Sequence, residues 1–153
     1  MTGLTVDAIN AALISYSQAL GIFEAVATHE PKSAPQPGLT CSIFLAGTAP
    51  WPGASGLDTV STVVTFNQRI YTSFMRKPED QIDQDLLKAI DAVMARYSGG
   101  FTLGGLVEAV DLLGMAGTPL GSKAGYLNQD GKLYRISDIT VPLIVADLWS
   151  EAA

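Results

Sequence analysis

The sequence predicts an α+β fold, a mostly antiparallel sheet of about five strands with two main helices packed on it. Three observations support this prediction. Two segments carry apolar residues at helical spacing, and residues 59–74 between them alternate apolar and polar residues. Within residues 125–147, a turn signal is followed by a long segment with apolar and β-branched residues on both parities. The predicted order is helix, two strands, helix and three strands. Because the chain has 153 residues and no internal repeat, we expect residues 1–153 to form a single domain.

The first helix is predicted by an apolar stripe with spacings of four and three residues: Ile9, Leu13, Tyr16, Leu20 and Phe23. Thr5 or Asp7 can cap its start, since either side chain can accept a hydrogen bond from a free backbone N–H. We expect the helix to end near Thr28. Residues 31–38 contain three prolines and predict an extended connector.

Two strands are predicted after the connector, at residues 39–46 and 59–74. In the longer strand, apolar residues share one parity while more polar ones share the other, which indicates one buried face. The two sets are Val60, Val64, Phe66 and Ile70, and Thr65, Asn67, Arg69 and Tyr71. Residues 47–58, which join the strands, are rich in Gly, Pro, Ala and Ser, so they predict a long loop outside any ladder.

The second helix is predicted to begin at Pro78-Glu79-Asp80 and to end at Ser98-Gly99-Gly100. Its apolar stripe is Ile82, Leu86, Ile90, Val93 and Tyr97. Residues 106–113 fit either a helix or a strand, and we assign a strand because glycines bracket them closely. Residues 114–121 are then a loop.

The last part of the chain predicts a hairpin that closes the sheet. Asn128-Gln129-Asp130-Gly131 is a turn signal, because Asp and Gly tolerate the positive φ of tight hairpins. Apolar and β-branched residues then occupy both parities, which indicates a strand covered on both faces. Pro142 cannot donate a ladder hydrogen bond, so it belongs at an edge, at a bulge or outside the regular pairing.

Composition restricts the classes of partner. Charged residues are 16% of the chain, below the roughly 25% usual in soluble proteins. Either neutral polar residues cover the surface, or part of it is buried in a permanent oligomer, where charge is depleted. The net charge of −6 and scattered basic residues argue against tight nucleic-acid binding. No apolar run approaches a membrane span and no signal peptide is recognisable, so we expect no membrane association.

The sequence contains no recognisable set of catalytic, cofactor-binding or metal-binding residues. His29 is placed near the predicted end of the first helix, where a favourable contact with the helix dipole is its expected role. Cys41 lies in an apolar strand and predicts a buried, inert thiol. Asp80, Asp83 and Asp85 stand at a helix start, where acids complement the dipole. We therefore predict a non-enzymatic protein with no catalytic residue, no cofactor and no metal site.

Several blocks resemble the tail terminator (tail completion) proteins of long-tailed bacteriophages, particularly those of phages of actinobacteria. In chain order the blocks are HEPKSAP at 29–35, GLT at 38–40, VTFNQRIY at 64–71, VDLLG at 110–114, GYL at 125–127, DGKLYR at 130–135 and ITVPLIV at 139–145. Together they extend over nearly the whole chain.

This resemblance implies an α/β subunit of a homo-oligomeric ring, generally a hexamer. Such a ring caps the tail tube, ends its polymerisation and presents a surface for joining the head. The implied partners are further copies of the chain, the tail tube protein and a head–tail connector protein. The implied location is the head-proximal end of the virion tail, with assembly in the host cytoplasm. Two alternatives remain: another connector or adaptor ring, and a small-molecule-binding α+β domain.

The loop at residues 47–58 is the predicted contact surface. Trp51 lies in its middle, and a large aromatic side chain on a surface loop is typical of an interface hot spot. Pro50, Pro52 and Leu57 are the neighbouring interface candidates. We expect this loop to contact a neighbouring subunit or the end of the tube; the alternative is that Trp51 folds back onto its own subunit.

Overall fold

A computed structural model describes residues 3–30, 38–54, 58–73 and 79–151, in which two α-helices pack on one six-stranded sheet. The elements are α1 (Val6–Ala19), β1 (Ala25–Ala27), β2 (Thr40–Pro50), a 3-10 turn (Pro52–Ala54), β3 (Thr59–Ser73), α2 (Gln81–Gly99), β4 (Ala109–Val110), β5 (Gly121–Gln129) and β6 (Lys132–Ser150). Within these ranges, no helix combines the length and the apolar character that crossing a membrane requires.

The predicted α+β class is confirmed, with one correction to the sheet. The strand order is β1-β2-β3-β6-β4, and β5 also pairs with β6. All of these pairs are antiparallel except β1 with β2, which is parallel. The 19-residue β6 therefore organises the sheet, because it pairs with β3 along one side and with β4 and β5 along the other.

The first helix is shorter than predicted. It ends at Ala19, and Gly21 follows with a φ of 69°, the left-handed conformation that commonly terminates helices. Ala25–Ala27 pairs with the first residues of β2 instead of extending the helix. His29 is exposed after this short strand and is not at a helix C-terminus, so the dipole contact predicted for it is wrong.

The hydrophobic core lies between the helices and one face of the sheet. α1 contributes Ile9 and Leu13, and α2 contributes Leu86, Val93 and Tyr97, as the helical stripes predict. The sheet contributes the apolar parity of β3 and the inner face of β6: Val64, Phe66, Ile70, Ile139, Val141 and Leu143. A smaller cluster of Tyr71, Tyr134 and Ile136 forms separately from this core.

The β5–β6 hairpin turns within the predicted signal at residues 128–131, and its turn has two residues. Gln129 pairs with Lys132, and the turn residues Asp130 and Gly131 have φ values of 52° and 74°. Positive φ at both central positions is the type I′ geometry, whose twist matches that of the flanking strands.

Pro142 lies inside β6, opposite Thr65 of β3. Its carbonyl accepts a hydrogen bond from the Asp111 N–H at 2.9 Å. Because the nitrogen and carbonyl of a strand residue point to the same side, the Pro142 nitrogen faces away from β3. On that side β5 starts opposite Thr140 and β4 ends opposite Leu143. Pro142 therefore faces Asp111, which follows β4, and because the Asp111 carbonyl accepts from the Leu120 N–H at 3.0 Å, the missing donor of Pro142 is not needed.

Two predicted boundaries are wrong. Residues 106–113 contribute only the two-residue β4, because Leu103, Gly104 and Gly105 have φ values of 50°, 70° and 90° and turn the chain before the strand. The first predicted strand extends from Thr40 to Pro50, well beyond residue 46. Of the proline-rich connector, residues 31–37 lie outside the described residues, as do Phe74 and Pro78.

Candidate assembly interface

The predicted long loop at residues 47–58 is partly strand, because β2 extends to Pro50. Gly47–Pro50 forms part of the ladder with β3, after a register shift between Leu45 and Gly47 that leaves Ala46 as an extra residue. The Trp51 N–H donates to the Ser61 carbonyl at 2.9 Å, so the Pro50 nitrogen faces away from β3. The prediction that residues 47–58 cannot form a ladder is thus wrong for their first third, because the bulge restores the pairing.

Trp51 is half-buried beside the 3-10 turn. A Cβ on Gly53 would meet the indole Nε1 at 2.9 Å and Cε2 at 3.0 Å, so glycine permits the close packing of the turn against the ring. Pro50 and Pro52 are exposed next to it. Leu57, the fourth predicted interface residue, lies outside the described residues.

The indole lines an apolar groove of about 410 Å³. The groove also contains Phe101, Leu112, Leu113, Met115 and Ile144. Ile144 follows Leu143 in β6, and Leu143 belongs to the helix-covered core, so Ile144 projects on the opposite face. Leu113 is 91% exposed, Met115 77% and Phe101 47%, which makes this groove a concentrated apolar surface of the molecule.

The loop after β4 holds these apolar side chains outward. The Asp111 carboxylate is buried and accepts hydrogen bonds from the N–H groups of Met115 and Ala116, both at 2.8 Å. The Asp111 carbonyl accepts a further bond from the Leu120 N–H at 3.0 Å. Gly114 has a φ of 80°, and a Cβ there would meet the Pro119 nitrogen at 3.1 Å. Leu113 and Met115 are therefore exposed on a loop with fixed geometry.

Among the described residues, acidic but no basic ones line the groove. Residues 42–68, 97–122 and 136–153 contain no Lys or Arg. Where β3 begins and β6 ends, the Glu151 N–H donates to the Asp58 carbonyl at 2.6 Å, and the Thr59 hydroxyl donates to Asp147 Oδ1 at 2.8 Å. Glu108 lines the groove itself. In the part of the chain that the structure describes, Glu108 and the buried Asp111 are the charged residues that line the groove.

A buried polar network lies on the other face of the sheet. Gln68 Nε2 donates to Ser17 Oγ at 2.8 Å and contacts Cys41 Sγ at 3.3 Å, while the Tyr97 hydroxyl donates to Gln68 Oε1 at 2.6 Å. Burial raises the pKa of the Cys41 thiol from 9.0 to about 12 and also raises the pKa of the Tyr97 hydroxyl. Cys41 is therefore a buried, un-ionised thiol, as its strand context predicts.

Other polar side chains form ion pairs, among them Asp83 at the start of α2. Asp83 Oδ1 accepts from Arg135 Nε at 2.9 Å, and Arg69 Nε donates to Asp138 Oδ1 at 2.6 Å. Among residues 3–30, 38–54, 58–73 and 79–151, no group of three or more His, Cys, Asp or Glu residues could hold a metal ion.

A second apolar cavity, of about 310 Å³, lies between the start of α1 and the sheet. Val6, Ile9, Phe44, Leu45 and Phe66 line it, with Asn10 and Thr48 among its few polar residues. It is open to solvent beside Leu45, which is 60% exposed.

Trp51, a candidate from the sequence, lines the groove, but the sequence does not point to the other residues that complete it. The sequence predicts a strand end at Leu113 and a loop at Met115, and no pattern in it shows that both side chains are exposed. The absence of Lys and Arg from residues 97–122 was the available signal for an unusual surface.

No protein-family model and no curated protein matches this chain. Among solved structures, it is similar to the sheath/tube terminator of an extracellular contractile injection system in the extended state, with 13% identity and a TM-score of 0.45. That match covers 100% of this chain, which spans only 60% of the other. It is also similar to a chain from the virion of a native gene transfer agent particle, with 13% identity and a TM-score of 0.41, over 91% of this chain and 96% of the other. Similarity at this level carries no argument about function.

Proposed function

We propose that this chain is a structural, non-enzymatic virion protein that assembles into a ring of six copies on a phage tail tube. The ring ends polymerisation of the tube at the head-proximal end of the tail and provides the surface to which the head is joined. Its partners are other copies of the chain, the tail tube protein and a head–tail connector protein, and assembly takes place in the host cytoplasm.

The groove beside Trp51 is the observation that carries this proposal. Leu113 and Met115 are 91% and 77% exposed, yet hydrogen bonds to Asp111 fix the loop that presents them. A rigid apolar surface bordered by polar groups is typical of a protein contact, since its burial in an assembly is favourable. The resemblance of the sequence blocks to tail terminators supports the kind of assembly.

The test is to measure the mass and shape of the purified protein. Light scattering after size exclusion is expected to give a multiple of 16.1 kDa, and electron microscopy is expected to show closed rings, alone or on tail tubes. Added to polymerising tube protein, the chain is expected to stop elongation. A monomer that leaves tube length unchanged would contradict the proposal. A ring that binds the connector without stopping tube growth would favour a connector or adaptor ring instead.

The cavity between α1 and the sheet favours a second candidate function, the binding of a small apolar ligand. Its volume of about 310 Å³ is at the lower end of known ligand sites, and its lining is mostly apolar. Saturable binding of anilinonaphthalene sulfonate by a monomer would favour this function. Val6→Trp should block that binding by filling the cavity mouth, whereas Leu87→Trp on the exposed face of α2 should not.

A further inference from the structure

The second half of β2 forms an open edge of the sheet. β3 pairs with β2 from Thr40 to Pro50, whereas β1 pairs on the other side only with residues 40–42. Among the described residues, no strand continues along that side. The open edge, residues 43–50, is about 26 Å long at roughly 3.3 Å per residue. It contains no charged side chain, although charge is a usual protection of such an edge against a further strand.

Leu45 and Thr48 direct their backbone groups along this open edge. The Leu39 carbonyl accepts a hydrogen bond from the Glu24 N–H at 2.7 Å on the side of β1, so Leu45, at the same parity, faces that side. Beyond the bulge, the Pro50 nitrogen faces away from β3, and Thr48 shares its parity. Both Leu45 and Thr48 are exposed. Each therefore presents an N–H and a C=O on the side where β1 stops.

The apolar cavity of about 310 Å³ lies beside the same edge and is here called the α1 cavity. Leu45 and Thr48 line it, together with Val6 and Ile9 at the start of α1. Thr28, the residue after β1, lines it too, so the cavity lies where β1 would continue. None of the described residues that line it is charged.

An extended peptide is the occupant that fits both the edge and the cavity. β1 already pairs with the start of this edge, and a further strand in its path would donate to and accept from Leu45 and Thr48. Its alternate side chains would enter the α1 cavity. A small apolar ligand fills the cavity but leaves the edge unpaired, and the backbone groups of a helix are used internally. A charged side chain would lose its hydration in an uncharged lining, so the inward side chains are apolar.

We infer that an extended segment of a partner protein, with apolar residues at alternate positions, adds to the sheet along residues 43–50 and places those side chains in the α1 cavity. The sheet thereby gains a strand that continues the path of β1. The inference goes beyond the proposed ring and does not depend on it. It gives the α1 cavity a peptide in place of the small ligand considered above.

Binding of a synthetic peptide to the full chain, measured by fluorescence anisotropy, tests the backbone pairing. The labelled peptide has about eight residues, the length of the open edge, with valine and threonine alternating and both ends blocked. Two further versions carry N-methyl groups, one on every valine and the other on every threonine. Alternate N–H groups lie on opposite edges of a strand, so only one version keeps the donors that face β2. That version is expected to bind like the unmethylated peptide, and the other at least about tenfold more weakly.

Two variants with matched controls test the edge and the cavity. Thr48→Pro removes an N–H that faces away from β3, as Pro50 does on the same edge, whereas Thr48→Val keeps it. Val6→Trp fills the cavity mouth, whereas Leu87→Trp lies on the exposed face of α2. Thr48→Pro and Val6→Trp are expected to bind the unmethylated peptide at least about tenfold more weakly than their controls. Circular dichroism should be the same for all four variants.

Equal affinity of the two methylated peptides would overturn the inference, as would the absence of saturable binding of the unmethylated peptide up to about 1 mM. Thr48→Pro that folds and binds like Thr48→Val would also overturn it; if this variant does not fold, the methylated peptides decide alone. Saturable binding of anilinonaphthalene sulfonate by a chain that does not bind the peptide would assign the cavity to small ligands instead. Ring formation is measured separately by light scattering, so its failure would leave the inference standing.

Discussion

Tyr97→Phe tests the buried network that joins both helices to the sheet. Tyr97 is 1% exposed and Gln68 is fully buried, and the hydroxyl of one donates to the Oε1 of the other at 2.6 Å. The substitution removes one oxygen and leaves the surrounding packing in place. Gln68 Nε2 keeps its bond to Ser17, but Oε1 loses the hydroxyl donor.

The size of the effect follows from that lost donor. A buried acceptor without a partner costs about 1–3 kcal/mol of unfolding free energy. For a chain of this length each kcal/mol lowers Tm by roughly 2–4 °C, so the expected decrease is about 2–12 °C. Tyr126→Phe, which removes a hydroxyl from an exposed ring, is the control and should change Tm very little.

Thermal and urea unfolding at one fixed protein concentration measure both variants. A double-mutant cycle with Gln68→Leu isolates the pair, because Tyr97→Phe should cost less when the acceptor is already absent. The reasoning is refuted if Tyr97→Phe alone changes stability by less than about 0.5 kcal/mol. It is equally refuted if the loss is the same in the Gln68→Leu background.

Three further predictions concern the interface, the thiol and DNA. Because its indole lines the exposed groove, Trp51→Ala is expected to weaken ring formation or tube capping by roughly 2 kcal/mol or more. The circular dichroism spectrum should be retained. Normal rings or normal tube length would contradict this prediction. Cys41 should react with a thiol reagent only after unfolding. Folding raises the pKa of Cys41 from 9.0 to about 12, so the thiol contributes its full share of the unfolding free energy below pH 9 and loses it as pH rises towards 12. In urea titrations at alkaline pH, a Cys41→Ala variant should lack this part of the decrease in unfolding free energy. With 15 acids against nine bases, the free protein should not bind duplex DNA at physiological salt, and micromolar affinity with a steep salt dependence in a filter-binding assay would contradict this.

Much of the fold follows from patterns among residues that are close in sequence. The apolar stripe of α2 predicts the helix that the structure shows, because four of its five residues are buried: Ile82, Leu86, Val93 and Tyr97. Asp130-Gly131 specifies the type I′ turn, since few residue pairs accept positive φ at both positions. The alternation in β3 separates a core face from a more polar one, and Cys41 is buried as its apolar strand indicates. These features depend on residues that are neighbours in sequence, so the sequence alone could predict them.

Other features depend on contacts between residues that are distant in sequence, and only the tertiary structure decided them. Ala25–Ala27 follows a helical pattern but forms β1, because the start of β2 offers it a parallel ladder. Gly47–Pro50 has the composition of a loop but joins β3, because a bulge at Ala46 restores the register. The groove brings Trp51, Phe101, Leu113 and Ile144 together from four separate parts of the chain. Whether an apolar residue is buried or left exposed for a partner depends on what the remaining chain places over it, and that is decided only by the packed structure.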